Sequence, residues 1–123
     1  MENLSLLALI LIGVIALLHL YIAWFEIFAW ESRGPKVFRA FPRDLFGPTK
    51  AMAANQGLYN FFLAAGLVWP FFISDAAWQT NVAIFFLSCV AVAGIFGALT
   101  ADRKIFFVQT VPAVLGLLAV WWG

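Results

Sequence analysis

Four apolar runs organise the chain: residues 4–30, 50–72, 82–101 and 105–122. A helix needs about 20 such residues to cross a hydrocarbon core, and the runs cluster around that length. The segments between them are short and hold most of the charge. Soluble domains are nearer half apolar and a quarter charged; here 65% of residues are hydrophobic and 11% charged. Such a chain lacks the polar residues to coat itself for water. The pattern predicts an all-α integral membrane protein, with residues 1–123 forming one four-transmembrane-helix bundle. The first run has no basic segment before it and no small-residue cleavage site, so it reads as a retained helix rather than a signal peptide.

The connections carry their own signals. Gly34-Pro35 is expected to end the first helix, because proline cannot continue one and restricts the residue before it. Residues 34–49 then form a loop with Pro35, Pro42, Gly47 and Pro48. Basic and aromatic residues alternate through it as Lys36, Phe38, Arg39, Phe41, Arg43 and Phe46. That mixture suits a segment at lipid headgroup level, and equally an ordinary positively charged loop. Trp69-Pro70 fits an interface anchor followed by a helix stop. Residues 74–81 read as a polar turn and Asp102-Arg103-Lys104 as a tight one. Ala93, Gly94, Gly97 and Ala98 give the third run a small-residue face for close helix approach. Pro112 is expected to kink the fourth.

Charge placement sets a topology. All seven Lys/Arg residues lie in or beside the first and third connections, while the ends and the second connection have none. The positive-inside rule makes those two connections cytoplasmic and leaves both termini outside.

Polar residues inside the runs mark the candidate site, because such groups in hydrocarbon usually face a partner, a cavity or a ligand. Along helices rising 1.5 Å per residue, His19 lies roughly 22 Å and Glu26 roughly 33 Å into the first crossing from the outside. In the second crossing, counted from Lys50, Asn55 and Gln56 lie about 7–9 Å in and Asn60 about 15 Å. Gln109 and Thr110 lie about 6–8 Å into the fourth. Three crossings thus gather polar groups in the cytoplasmic half. Asn55 and Tyr59 form one stripe and Gln56 and Asn60 the next, so this helix would touch two different surroundings.

Two readings follow. In one, Glu26, His19, Lys50, Asn55, Gln56, Tyr59, Asn60 and Gln109 line a pocket for an amphipathic small molecule or lipid. In the other, they form an interhelical hydrogen-bond network that only fixes packing, each bond worth roughly 1 kcal/mol. His19 suits proton transfer or a plain helix contact. His19 and Glu26 are too few ligands for a metal, and no nucleic-acid motif or cofactor fingerprint is present. Cys89, alone in an apolar run, reads as a small buried hydrophobe. A transporter would call for an inverted repeat that four short spans do not provide.

The His-bearing first helix and the run Asn55-Gln56-Gly57-Leu58-Tyr59-Asn60 resemble a family of small bacterial four-helix membrane proteins of unknown function. This implies a bacterial inner (plasma) membrane location. In plan, and locally from Phe46-Gly47-Pro48 through Asn55, Tyr59 and Phe61-Phe62-Leu63-Ala64, the chain also resembles the membrane-associated proteins in eicosanoid and glutathione metabolism (MAPEG). That family includes microsomal glutathione transferases and leukotriene C4 synthase. The resemblance implies a MAPEG-like homotrimer with glutathione bound between subunits. Asn55 and Tyr59 would be ligand contacts and Lys50 the basic one. Leu58 stands where many members have an acid, Ile95 and Phe96 where they have tyrosines, and Gln109 where the thiolate-activating arginine belongs. A neutral amide does not stabilise a thiolate as a cation does. The resemblance therefore supports a shared plan more than a shared activity. A glutathione-dependent transferase and a non-catalytic accessory subunit stand as alternatives to the ligand-binding pocket.

Overall fold

The computed structural model describes residues 2–122. It is all-helical: α1 (Leu6–Phe28), α2 (Trp30–Val37), α3 (Lys50–Val68), α4 (Ala76–Thr100) and α5 (Val111–Trp122), with no strand among the described residues. Short 3-10 turns occupy Arg43–Leu45 and Trp69–Phe72, and a π-helical segment, Phe106–Thr110, leads into α5. Among the described residues, α1 and α4 are long and apolar enough to cross a membrane. The segment Phe106–Trp122 is shorter. In α3, Lys50, Asn55, Gln56 and Asn60 dilute the apolar residues. Four crossings were expected, and two helices meet the criterion of length and apolarity.

Ser5 caps α1 by accepting the Ala8 N–H at 3.1 Å. The helix does not run on to Gly34-Pro35. It breaks at Ala29, whose φ of −133° and ψ of 26° leave the helical region, and Pro35 sits inside α2. Alanine is the best helix former, so no local preference explains the break. Tertiary contact does: the Trp30 ring lies 5.0 to 6.3 Å from those of Phe25, Phe38, Phe41 and Phe46, and its indole N–H donates to Thr49 Oγ1 at 3.0 Å. Arg33 measures the bend. Its guanidinium donates to the Tyr21 hydroxyl at 3.1 Å, although a straight helix would separate these residues by about 18 Å along its axis. The chain therefore folds back at Ala29, and α2 packs beside the end of α1.

Two other boundaries differ from expectation. The turn at 74–81 shrinks because Asp75 accepts the Trp78 N–H at 3.0 Å and starts α4 at once, as an N-cap acid does. Pro112 does not open a simple kink. The wider π turn precedes it and accommodates the missing N–H and the crowding ring.

The shared core consists of Ile12, Ile15 and Ala16 of α1, Leu67 of α3, Ala83, Leu87 and Val90 of α4, and Ala113 of α5. It lies in the half of the bundle remote from the basic connections. Two glycines set helix distances. A Cβ on Gly57 would lie 2.8 Å from Ile27 Cγ1 and 3.0 Å from Glu26 Cβ, so α3 approaches α1 closely there. Gly66 seats the Phe86 ring of α4. The outer faces are apolar along the bundle, from Leu6 and Leu7 to Leu99 and Trp121.

Candidate functional site

The polar residues separate into two groups. One is buried and fully partnered. Asn60 Nδ2 donates to Glu26 Oε1 at 2.6 Å, joining α3 to α1 one turn beyond the Gly57 contact. His19, with no exposed surface, uses both ring nitrogens. Nδ1 lies 2.9 Å from the Ile15 carbonyl, which can only accept, so Nδ1 carries the hydrogen. Nε2 then accepts from the Gln109 side-chain N–H at 3.0 Å. Thr110 Oγ1 donates to the Ala91 carbonyl at 2.8 Å. The π turn places adjacent Gln109 and Thr110 against different helices, α1 and α4. No buried side-chain polar atom among the described residues lacks a partner.

The second group faces outward. Asn55, Gln56 and Tyr59 are exposed, Tyr59 to 53%, and their polar atoms have no partner among the described residues. Tyr59 touches Phe62 edge-on at 6.1 Å. Asn55, Tyr59 and Gly66 share a face of α3 by helical spacing. At Gly66 that face receives Phe86 of α4, whereas toward the basic end Asn55 and Tyr59 stand open. Lys50 begins α3 and pairs with Glu31 at 3.5 Å on the surface.

Of the eight predicted site residues, the structure joins Glu26 to Asn60 and His19 to Gln109. It brings neither pair to Asn55, Gln56, Tyr59 or Lys50 through a hydrogen bond or ion pair. Gln56 has the spacing to follow Asn60 inward and instead lies exposed. Two open clefts lie elsewhere. One follows the outer side of α4 past Ser88, Cys89, Val92 and Phe96, leaving Cys89 half-buried on its wall. The other, of about 500 Å³, lies at the opposite end, between Glu2, Thr80 and Trp121.

Some structural contacts escaped the sequence reading. Gln79, assigned to a turn, accepts the Leu4 N–H at 2.9 Å and donates to the Pro70 carbonyl at 3.1 Å. Asp75 as an N-cap was the signal that would have placed it inside a helix. Trp30–Thr49 and Arg33–Tyr21 depend on the bend at Ala29, which no residue type announces.

A family model described as "Protein of unknown function (DUF1304)" matches residues 13–121. The chain belongs to the DUF1304 family. Its matched region holds the Glu26–Asn60 and His19–Gln109 pairs and the open face of α3. The chain is also 30% identical over 117 residues to "Uncharacterized protein YpaA" of Lactococcus lactis subsp. lactis (strain IL1403), covering 94% of this chain and 97% of that protein. No solved structure matches it.

Proposed function

We propose that this DUF1304 protein is a four-span protein of the bacterial inner (plasma) membrane. In this reading α1, α3, α4 and the unit formed by the π turn and α5 each cross the bilayer. The basic connections face the cytoplasm and both termini face outside. Copies of the chain assemble through the open face of α3, as the trimer of the MAPEG plan suggests. Asn55, Gln56 and Tyr59, with Lys50 at the rim, bind the polar head of an amphipathic small molecule or lipid between subunits. Glu26–Asn60 and His19–Gln109 are the clamps that hold this face in place.

One contrast supports the reading. Among the described residues the buried polar side chains are bonded within the chain, while Asn55, Gln56 and Tyr59 are exposed without partners at the basic end of a mostly apolar helix. Amides in hydrocarbon are costly until they find donors and acceptors. Asn and Gln carry both kinds of group, so polar groups of a neighbouring copy or of a ligand head can satisfy them.

The accessory-subunit reading draws on a different observation: the inner polar groups close on one another, as purely structural contacts do. The glutathione-dependent transferase rests on resemblance, and Gln109, engaged with His19, supplies no thiolate-stabilising charge. Cross-linking in native membranes, repeated with Asn55→Leu plus Gln56→Leu, separates these. Ligand binding between subunits requires an oligomer that the double variant weakens. A wild-type monomer rules it out and leaves the accessory role. A thermal shift with glutathione that Asn55→Ala abolishes would support the transferase; no shift removes it.

A further inference from the structure

We propose that Lys36, Arg39 and Arg43, together with the aromatic cluster they flank in sequence, form a headgroup site for anionic phospholipid. All seven basic residues sit at one end of the bundle. Lys104, in the connection before α5, donates to the Val37 carbonyl and stands 5.4 Å from the Phe38 ring, so both basic connections meet there. In the connections at this end, seven cations against Glu31, Asp44 and Asp102 leave a net charge of +4 (7 − 3), with Glu26, inside α1, not counted. Glu2 and Asp75 leave the other end at −2 (0 − 2).

Several of these cations are engaged. Lys50 pairs with Glu31, and Arg33 lies over Tyr21 and Trp24 at 5.7 and 5.8 Å. Lys36, Arg39 and Arg43 are exposed and have no acidic partner among the described residues. They flank Phe38 and Phe41, half-buried rings that pack at a tilt against Trp30 together with the buried Phe46. Aromatic rings at this position suit the boundary between headgroups and acyl chains, and basic residues beside them attract anionic lipid.

The occupant follows from the apolar side chains exposed at the same end of the bundle as the cations. Phe28, at the end of α1, is 77% exposed, and Met52, in the first turn of α3, 73%. A soluble phosphate compound has no use for that apolar surface, whereas a phospholipid covers it with acyl chain while its phosphate meets the cations. Three cations at about 1 kcal/mol each correspond to roughly a 100-fold preference for an anionic over a zwitterionic lipid.

The test uses the full chain in lipid nanodiscs, with competition between phosphatidylglycerol and phosphatidylcholine read by native mass spectrometry of retained lipid. The expected result is strong retention of phosphatidylglycerol, lost in Lys36→Gln/Arg39→Gln/Arg43→Gln and reduced for the wild type in high salt. The wild-type salt arm needs no variant to fold. Equal retention of both lipids overturns the proposal, as does a preference that survives both the triple variant and salt. Displacement by millimolar inorganic phosphate would mean a soluble-phosphate site and also overturns it. None of these outcomes depends on the open face of α3.

Discussion

Gln109 donates its side-chain amide to Nε2 of His19 at 3.0 Å, ninety residues away in sequence, inside the bundle. The imidazole is thereby fixed at both nitrogens, since Nδ1 is spent on the Ile15 carbonyl. His19→Leu should destabilise the protein by roughly 1–2 kcal/mol, because it strands the Gln109 amide. His19→Leu with Gln109→Leu should recover part of that loss. A double-mutant cycle of unfolding in detergent micelles checks it; additive effects would mean the bond contributes nothing.

The Glu26–Asn60 pair should respond to chemistry more than to size. Glu26→Gln keeps an oxygen that accepts from Asn60 and should cost under about 1 kcal/mol. Asn60→Leu removes the donor and leaves a buried carboxyl group without its partner, costing about 1–3 kcal/mol. Comparing the two unfolding midpoints is sufficient, and the reverse order would contradict the contact.

Gly57 tests helix proximity. Its Cβ would meet Ile27 Cγ1 at 2.8 Å and the Ala23 carbonyl at 3.0 Å, and backbone cannot swing aside. Gly57→Val should lower stability by about 1–3 kcal/mol through overpacking, visible as a lower thermal midpoint in detergent.

Gly66 meets a movable side chain instead. Gly66→Ala should be destabilising alone, since the Phe86 ring occupies the space. It should be partly rescued by Phe86→Leu, which frees room there. A pair of variants that fail independently would show that the ring is not what limits the site.

Arg33→Ala should affect stability little, by about 0–1 kcal/mol, because its contacts with Tyr21 and Trp24 lie on the outer surface of the bundle. It should nevertheless alter tryptophan emission, because the guanidinium no longer covers Trp24. Unchanged emission would argue against the fold-back at Ala29.

The apolar runs located α1, α3 and the last helix to within a few residues, because burial and length leave little choice, while α4 begins at Ala76, six residues (82 − 76) ahead of its run. The boundaries that failed are those set by distant contacts. Ala29 breaks a helix that its sequence favours because Trp30 is drawn into the cluster with Phe25, Phe41 and Phe46. Pro35 enters a short helix, with only Lys36 and Val37 after it. In the candidate site, spacing separated the two stripes of α3, but helix rotation chose which polar groups turn inward. Asn60 reaches Glu26 and Gln56 does not, although the two are one turn apart. Partner identity is a property of how helices face each other, which one-dimensional spacing does not carry.

The π turn from Phe106 to Thr110 amounts to one residue more than an α-helical turn would hold. The π turn therefore has a winding of its own, different from that of α5, which it joins just ahead of Pro112. Removing a single residue there would wind the segment back to regular pitch, and Gln109 and Thr110 could no longer address α1 and α4 together. The length of the chain at this point, as much as the chemistry of either side chain, decides whether the two helix pairs stay locked.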